Sequence, residues 1–531
     1  MTAPSCLRVL IVGAALSMAS GAALAASFDL STATIADINA AFAAKALTSE
    51  QLTRLYLARI AAYDKQGPTL NTVITLNPHA LEEARALDAE RKAKGPRGPL
   101  HGIPILLKDN FDTYDLPTSA GSTVLKDSIP YADAFVVKKL RAAGALILAK
   151  VNLSEFASGG GSPDGYSSLG GQTRNPHDPT RSAGGSSSGT AAGLAAVFGQ
   201  FGLGTDTLWS VRFPSSLNGV VGLRPTTGLL SRSGIVPLAL THDSAGPIAR
   251  SVYDVAVSLG FMTGVDPTDD ATFASAGHFE TDYTQHLQTG SLRGVRIGIP
   301  RTFFGQDAET DRITEAAIAT LKSRGAVIVD PLIIPEQLLI GKAGVWRAVG
   351  PPEFGPQLAA YLSKLRPGQP RSLAEIVARA EEMGSGYANA PKLKSMKASL
   401  NAPSLSDPYY VAAKNEGRAM TIATLRAVFA ANGLDAIAFP TSPKPAHLIE
   451  DLRRGPGAAE SAFNMAPATG FPELVVPSGM TNSGLPVSLS LLGLPYTEAQ
   501  LLAYGYDFEQ ATHARVLPKT TPALRGEVVR Y

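Results

Sequence analysis

The chain has 531 residues, of which 45% are hydrophobic and 17% are charged, and its formal net charge is +2. This composition excludes a disordered chain, and the absence of a Lys/Arg cluster in the sequence excludes a nucleic-acid footprint or a polybasic membrane patch. The single cysteine, Cys6, excludes intrachain disulfides and Cys-rich metal sites, and the histidines lack metal-binding spacing. The expected partner is therefore a small molecule.

The first 25 residues are typical of a secretory signal. Arg8 is the only charged residue among them, residues 9–25 are apolar or small, and the segment ends in Ala23-Leu24-Ala25. We expect cleavage after Ala25 and an exported mature chain, periplasmic or secreted, that is not stably inserted in a membrane. The alternative is a membrane anchor, but an Ala- and Gly-rich run of about 17 residues is at the lower limit for spanning a bilayer.

The mature chain alternates helical and strand patterns. Thr48 and Gln51 form a capping box for a helix that presents Leu52, Tyr56 and Ile60 on one face. Short apolar runs predict buried strands at residues 103–107, 145–148, 295–299, 327–329, 437–439 and 474–476. This alternation predicts an α/β fold with a large mixed β-sheet covered by helices on both faces.

Two stretches have the composition of peripheral segments. Residues 266–294 are polar and rich in turn formers, and residues 335–407 are helical with Pro-rich breaks. We expect both to be lids or insertions that wall a pocket. Length alone suggests three or four domains at about 150 residues each, but no composition shift marks a boundary.

A Gly/Ser-rich loop at residues 174–189 is followed directly by a helix-forming segment from Thr190. Backbone N–H groups at such a helix N-terminus form a ready anion site. The lysine of the nucleotide-binding P-loop is missing. Residues 185–189 formally match the G-x-S-x-G nucleophile elbow, but that motif requires a preceding strand, and residues 175–179 (N-P-H-D-P) cannot form a central strand. The loop alone leaves function open.

Further motifs accompany this loop. They read G-I-P-I-L-L-K-D-N at residues 102–110, G-T-D-T-L-W-S-V-R-F-P at residues 204–214 and G-L-R-P-T-T-G at residues 222–228. Together with the loop, this set resembles the amidase signature family, whose members carry G-I-P-x-x-x-K-D-N, G-G-S-S-G-G, G-T-D-x-G-G-S-I-R-x-P-A and G-L-K-P-T-x-G. The resemblance extends over about residues 48–512, so we expect one amidase domain at residues 26–531.

The resemblance implies a Ser-cisSer-Lys triad. Ser210 corresponds to the acyl-accepting nucleophile, Ser186 to the bridging serine that follows a cis peptide bond from Gly185, and Lys108 to the base. The 24-residue spacing of the two serines matches the family. A lysine can activate a serine only as the neutral amine, which burial beside apolar strand residues favours. This chemistry requires neither a metal nor an organic cofactor.

Three departures from the family pattern affect this assignment. Leu208-Trp209 stand where the family has Gly-Gly, Ser188 replaces a glycine, and Arg224 replaces a lysine. The first departure matters most, because the resemblance implies an oxyanion hole built from the backbone N–H groups of residues 207–210 (Thr207, Leu208, Trp209 and Ser210). Two outcomes stay open: Leu208 and Trp209 either fail to adopt the backbone angles that glycine allows, or Trp209 packs against the acyl site and narrows or reshapes it. The resemblance also assigns a substrate-lining loop to Gly159, Gly160 and Gly161.

The sequence therefore predicts an exported serine hydrolase that cleaves carboxylic amide bonds, with possible activity on esters or carbamates. Three alternatives stay open: a catalytically silent secreted binding protein of the same fold, the glutaminase subunit of a tRNA-dependent amidotransferase, and a membrane-bound fatty amide hydrolase. An export signal argues against the second, and the third would require the first 25 residues to stay attached. Oligomeric state and substrate identity have no readable signal.

Overall fold

The computed structural model of the protein describes Met1, residues 26–451 and residues 461–531. The predicted leader, apart from Met1, therefore lies outside the described residues. In the part of the chain that is described, no helix combines the length and apolar character needed to cross a bilayer.

The strands, in chain order, are β1 (Ser27–Asp29), β2 (Val73–Leu76), β3 (Pro104–Lys108), β4 (Leu146–Val151), β5 (Tyr166–Ser167), β6 (Gly171–Gln172), β7 (Phe201–Asp206), β8 (Val221–Arg224), β9 (Ser244–Ala249), β10 (Arg296–Gly298), β11 (Val327–Val329), β12 (Ala436–Pro440), β13 (Glu473–Met480), β14 (Pro486–Leu492) and β15 (Val528–Arg530). Within the described ranges, eleven of them form one sheet in the order β11-β10-β12-β14-β13-β8-β9-β7-β3-β4-β2. Its pairs are parallel around β3 and β10 and mostly antiparallel elsewhere.

The helices flank this sheet and connect its strands. They are α1 (Ile35–Ala43), α2 (Ser49–Tyr63), α3 (Ala80–Lys94), α4 (Phe135–Ala142), α5 (Ser188–Ala195), α6 (Arg212–Asn218), α7 (Val252–Met262), α8 (Ala308–Ser323), α9 (Glu336–Leu362), α10 (Leu373–Glu382), α11 (Ala390–Ser399), α12 (Pro408–Ala412), α13 (Arg418–Asn432), α14 (Met465–Thr469) and α15 (Glu498–Thr512). The predicted α/β architecture with a large mixed sheet is confirmed.

The elements predicted from local pattern are present. Thr48 caps α2 in a full capping box with Gln51, and the helix buries Leu52, Tyr56 and Ile60. The apolar runs lie on β3, β4, β10, β11, β12 and β13. The runs on β3, β4, β12 and β13 are buried on both faces, which explains their continuous apolar sequences, because strands in the middle of a covered sheet have no solvent side. The exception is β11, which lies at the edge of the sheet and exposes Val327.

Adjacent parallel strands determine where the catalytic candidates meet. β3 pairs with β7, with Ile105 opposite Phe201. β3 ends at Lys108, and β7 ends at Asp206, just before the turn that carries Ser210. Because the carboxyl ends of parallel strands lie at one edge of a sheet, these segments emerge side by side.

The two stretches predicted to be peripheral differ from each other. Residues 266–294 contain only short 3-10 turns, at Asp270–Ser275 and Thr284–His286, and contribute no strand to the sheet. Residues 335–407 contain α9, α10 and α11, which share a separate apolar cluster that includes Leu358 and Ile376. This second stretch packs near the end of β3, where the Tyr361 hydroxyl donates a 2.6 Å hydrogen bond to Asp112.

Candidate active site

Lys108 is completely buried at the end of β3. Its Nζ lies 2.7 Å from Ser186 Oγ and 2.7 Å from Thr205 Oγ1. Burial lowers the pKa of Lys108 to about 7, while the nearby carboxylates of Asp206 and Asp243 oppose this shift. A large fraction of Lys108 is therefore neutral near pH 7 and able to accept a proton.

Ser186 lies between this amine and a cavity. The peptide bond from Gly185 to Ser186 is cis, as the resemblance implies. The Ser186 carbonyl accepts a 3.1 Å hydrogen bond from the Ser154 N–H. No strand precedes the G-x-S-x-G match within the described residues 174–187, where the extended features are isolated bridges at Arg174, Arg181 and Ser182. The serine therefore does not follow a strand directly, as a nucleophile elbow requires, and the nucleophile-elbow interpretation does not apply.

Ser210 lies on the turn between β7 and α6 and lines the same cavity as Ser186. It is 6% exposed, and its hydroxyl forms no hydrogen bond with any described residue. The Ser210 carbonyl accepts a 3.2 Å bond from the Ser187 N–H, which ties the turn to the Gly/Ser loop. The second serine is therefore held by its backbone while its hydroxyl is left available to a ligand.

The turn also presents free backbone donors. Among the described residues, the N–H groups of Thr207, Leu208, Trp209 and Ser210 donate to no acceptor. Neither Leu208 nor Trp209 has a positive φ angle, so both residues occupy the turn without the left-handed conformation that glycine favours. The Gly-Gly to Leu-Trp difference therefore leaves these donors in place, and their role as an oxyanion hole stays a prediction.

A buried ion network holds this turn. Arg212 Nε donates to Asp206 Oδ2 at 3.0 Å, and another Arg212 nitrogen donates to the Leu208 carbonyl at 2.6 Å. Glu473 on β13 accepts a 2.8 Å bond from Arg212. Arg224, which stands where the family has lysine, donates to Asp206 at 3.1 Å from the other side. The two guanidinium groups hold the pKa of the buried Asp206 carboxyl at about 2.

The cavity at the two serines has a volume of about 250 Å³. One side of it is aromatic: the Trp209 and Phe463 rings lie 5.6 Å apart, and Phe213 lies 5.3 Å from Phe463. Trp346 of α9 also lines it. Trp209 thus packs beside the nucleophile, one of the two outcomes that the sequence leaves open, and residues 335–407 reach the cavity. None of the described residues 266–294 lines it.

Another wall is the segment 157–164, which contains Gly159, Gly160 and Gly161. The N–H groups of these three glycines donate to no acceptor within the described residues. The predicted substrate-lining loop therefore does lie at the cavity, where it presents these backbone donors. Polar side chains also line the cavity, among them Asp164, His447 and Asp451.

Sequence reasoning missed several residues that shape the site. Thr205 and Asp206 are inside the G-T-D motif, so the signal was available in the sequence, whereas Trp346 and Phe463 come from distant segments without a local pattern. Within the described residues, no group of three or more His, Cys, Asp or Glu side chains is placed to hold a metal ion.

Comparison with known proteins gives similarity along almost the whole chain. The family model described as Amidase matches residues 51–502. A probable amidase of Arabidopsis thaliana is 37% identical over 528 residues, covering 96% of this chain and 97% of its own length. A glutamyl-tRNA(Gln) amidotransferase subunit of Halorhodospira halophila is 35% identical over 491 residues, which is 90% of this chain and 97% of that protein.

Solved structures are similar to this fold over more than nine-tenths of the chain. The native peptide amidase from Stenotrophomonas maltophilia superposes with a TM-score of 0.86 at 38% identity, covering 92% of this chain and 99% of that one. The corresponding glutamyl-tRNA(Gln) amidotransferase subunit from Thermotoga maritima superposes with a TM-score of 0.71 at 25% identity, covering 93% of this chain and 99% of that one.

Proposed function

Because the chain belongs to the amidase family and is an enzyme that hydrolyses amide C–N bonds, we propose that it works through an acyl-enzyme on Ser210. The observation that carries this proposal is the 2.7 Å hydrogen bond between Lys108 Nζ and Ser186 Oγ, beside a cavity that both Ser186 and Ser210 line. A buried neutral amine, a bridging hydroxyl and a free hydroxyl form a path for one proton.

In the acylation step, neutral Lys108 accepts the Ser186 proton while Ser186 accepts the proton of Ser210. The Ser210 oxygen attacks the amide carbon, and the carbonyl oxygen gains negative charge. We expect the N–H groups of residues 207–210, which donate to no acceptor among the described residues, to stabilise that charge. One such donor contributes about 2.7–4 kcal/mol to barrier lowering.

Collapse of the tetrahedral intermediate breaks the C–N bond. The proton held by Lys108 returns through Ser186 to the leaving amine, which departs neutral. Water then attacks the Ser210 ester, and the same relay takes its proton and returns one to Ser210. The carboxylic acid leaves, and each residue regains its starting protonation state.

The substrate we propose is an amide with an apolar acyl part, with peptide amides as the first class to examine. The aromatic side of the cavity supports an apolar group, and the free N–H groups of Gly159, Gly160 and Gly161 suit carbonyl acceptors. The S. maltophilia neighbour is named as a peptide amidase. Esters and carbamates could react by the same steps.

The test compares hydrolysis of aryl amides, peptide amides, acyl amides, esters and carbamates, with products identified. We expect Ser210→Ala and Lys108→Ala each to abolish amide hydrolysis, and Ser323→Ala to keep it, because Ser323 is exposed at the end of α8 and does not line the cavity. A fluorophosphonate should phosphonylate the Ser210 oxygen with release of fluoride, so the adduct should have the mass of the reagent less HF. Full activity in Ser210→Ala would refute the assignment of the nucleophile.

A second candidate function is the glutaminase role within a tRNA-dependent amidotransferase. The 35% identity to the H. halophila protein favours it. This role predicts rapid glutamine hydrolysis that depends on Ser210 and a stable complex with partner subunits. We expect the purified chain to prefer the apolar amides of the panel over free glutamine, and the reverse preference would select this second role.

We also propose that the protein is exported, on the basis of the sequence pattern of residues 1–25. The expected mature chain begins at Ala26. N-terminal sequencing of protein recovered from the periplasm or medium would identify this end, and recovery of full-length chain from the cytoplasm would contradict it.

A further inference from the structure

The loop of residues 157–164 forms a wall of the cavity but has little to hold itself in place. It contains three consecutive glycines. The residue before it, Phe156, and its first residue, Ala157, have φ angles of 52° and 57°. Such left-handed conformations are uncommon for residues other than glycine, and they persist where the surrounding structure imposes them. The position of this wall must therefore be determined by neighbouring segments.

One anchor is Glu155, immediately before the loop. Its side chain is completely buried. It accepts hydrogen bonds from the Ser168 N–H at 2.9 Å, the Ser168 hydroxyl at 3.0 Å, the Tyr387 hydroxyl at 2.6 Å and the Asn389 amide at 2.8 Å. Two of these donors come from a segment more than 230 residues away in sequence.

That distant segment, residues 387–395, is called the strap here. It contacts the loop itself as well as Glu155. Lys392 Nζ donates to the Ser158 carbonyl at 3.0 Å, and a Cβ added to Gly160 would lie 2.9 Å from Lys392 Cδ. The Ser162 hydroxyl donates to Asn389 Oδ1. The strap therefore packs along the outer side of the loop whose inner side faces the catalytic serines.

We propose that the strap and Glu155 determine substrate specificity by fixing the position of the cavity wall at residues 157–164. This inference rests on the proposed function, because it concerns the same cavity. Glu155, Tyr387 and Asn389 are positioning residues: they do not line the cavity and act through the loop.

The catalytic groups have separate supports. Lys108 and the turn carrying Ser210 are held by β3, β7 and the Arg212 network, none of which includes a strap residue. The loop side does touch the catalytic segments directly: the Ser154 N–H donates to the Ser186 carbonyl, and Asp164 lies against Gly185. Neither contact involves a strap residue. Loosening the strap is therefore expected to raise KM for substrates long enough to reach the loop, and to leave kcat for small amides nearly unchanged.

The decisive variant is Asn389→Asp. It keeps the side-chain oxygen that caps α11 through the Lys392 N–H, but it replaces the donor to Glu155 with a second carboxylate. The double variant Glu155→Gln/Asn389→Asp restores a donor and an acceptor between these two positions, but the Ser168 N–H, which shares the same Glu155 oxygen, loses its acceptor. Asn432→Asp, a residue outside the strap, is the matched control for added charge.

We expect Asn389→Asp to raise KM for a peptide amide at least tenfold while changing kcat and KM for a small aliphatic amide less than twofold. The double variant should recover part of the loss in KM for the peptide amide. Parallel losses on both substrates or an unchanged KM in Asn389→Asp would overturn the inference. If Asn389→Asp does not fold, Tyr387→Phe takes its place. This variant removes the hydroxyl that donates to Glu155, and it should also raise KM for the peptide amide without changing kcat or KM for the small amide.

Failure of this inference can be distinguished from failure of the proposed function. Wild-type hydrolysis and fluorophosphonate labelling of Ser210 test the proposed function without any strap variant. If the wild type is active and labelled but the strap variants behave like Asn432→Asp, only the specificity role is wrong.

Discussion

Lys108 occupies a position where its charged form is poorly solvated and its neutral form is chemically useful. The side chain is completely buried, and no carboxylate among the described residues lies within ion-pair distance of its Nζ. Its Nζ lies 2.7 Å from two hydroxyl oxygens, those of Ser186 and Thr205. The low pKa that follows is an electrostatic property of this one residue and predicts a pH profile.

Since the pKa of Lys108 is about 7, kcat/KM should rise about tenfold per pH unit below that value, because only the neutral amine accepts the Ser186 proton. Above it, the rate should level off. Measurement between pH 5 and pH 9 on one amide checks this. A rising limb centred near pH 10 would mean that Lys108 titrates like an exposed lysine and would contradict the relay.

Thr205→Val tests how the amine is held. The hydroxyl of Thr205 accepts a hydrogen bond from Lys108, and such a bond is stronger to the charged amine. Its removal should lower the pKa of Lys108 further and move the rising limb to lower pH. The plateau should fall roughly tenfold, since a hydrogen bond of about 1–1.5 kcal/mol that orients the amine is lost. A limb that moves to higher pH would contradict this role for Thr205.

At the scale of elements, the turn between β7 and α6 depends on the ion network beneath it. Arg212→Gln removes the guanidinium that contacts Asp206, Glu473 and the Leu208 carbonyl. Asp206 would keep Arg224, but Glu473 would lose its ion-pair partner. Leaving a buried carboxylate in this way costs about 3–5 kcal/mol, and displacement of one N–H group of the proposed oxyanion hole should lower kcat by about 10²–10³-fold.

Urea unfolding and kcat on a small amide measure these two effects. Arg301→Gln is the control, because Arg301 is 36% exposed in its ion pairs and should contribute less than about 1 kcal/mol. Equal stability losses in both variants would show that the network under the turn has no special role.

The same elements show what the sequence could and could not predict. Apolar runs predicted β3 and β4 correctly, but β7 and β9 were missed because glycines and a proline interrupt their patterns. Those glycines permit close approach of strands: a Cβ on Gly246 would lie 2.2 Å from the Leu223 carbonyl oxygen. Strand formation here depends on tertiary packing, which a local pattern does not contain.

The residues of the candidate site also fall into those that the sequence could predict and those that it could not. Lys108, Ser186 and Ser210 could be identified because each lies within a motif of the family that the chain resembles. The contacts of Glu155 with Tyr387 and Asn389 join segments more than 230 residues apart. No spacing rule applies at that range, so only the folded chain shows them.

At the scale of the whole molecule, the two ends of the described chain are paired. β1 is antiparallel to β15, with Phe28 opposite Val529. Beside this pair, Arg59 of α2 forms a 2.8 Å ion pair with Glu527, and both side chains are only 2% exposed. The strand pair begins two residues after the expected cleavage site at Ala25, so removal of the leader would leave it intact.

Glu527→Ala should therefore destabilise the fold without affecting catalysis. Arg59 would keep its backbone acceptors at Ala196 and Thr521 but lose its only ionised partner among the described residues. A buried charge left in this way costs about 3 kcal/mol. Neither residue lines the catalytic cavity, so kcat/KM per folded molecule should stay within twofold of wild type. Urea unfolding and active-site titration measure the two quantities separately, and a loss of kcat/KM at unchanged stability would show that the paired termini act on the site rather than on the fold.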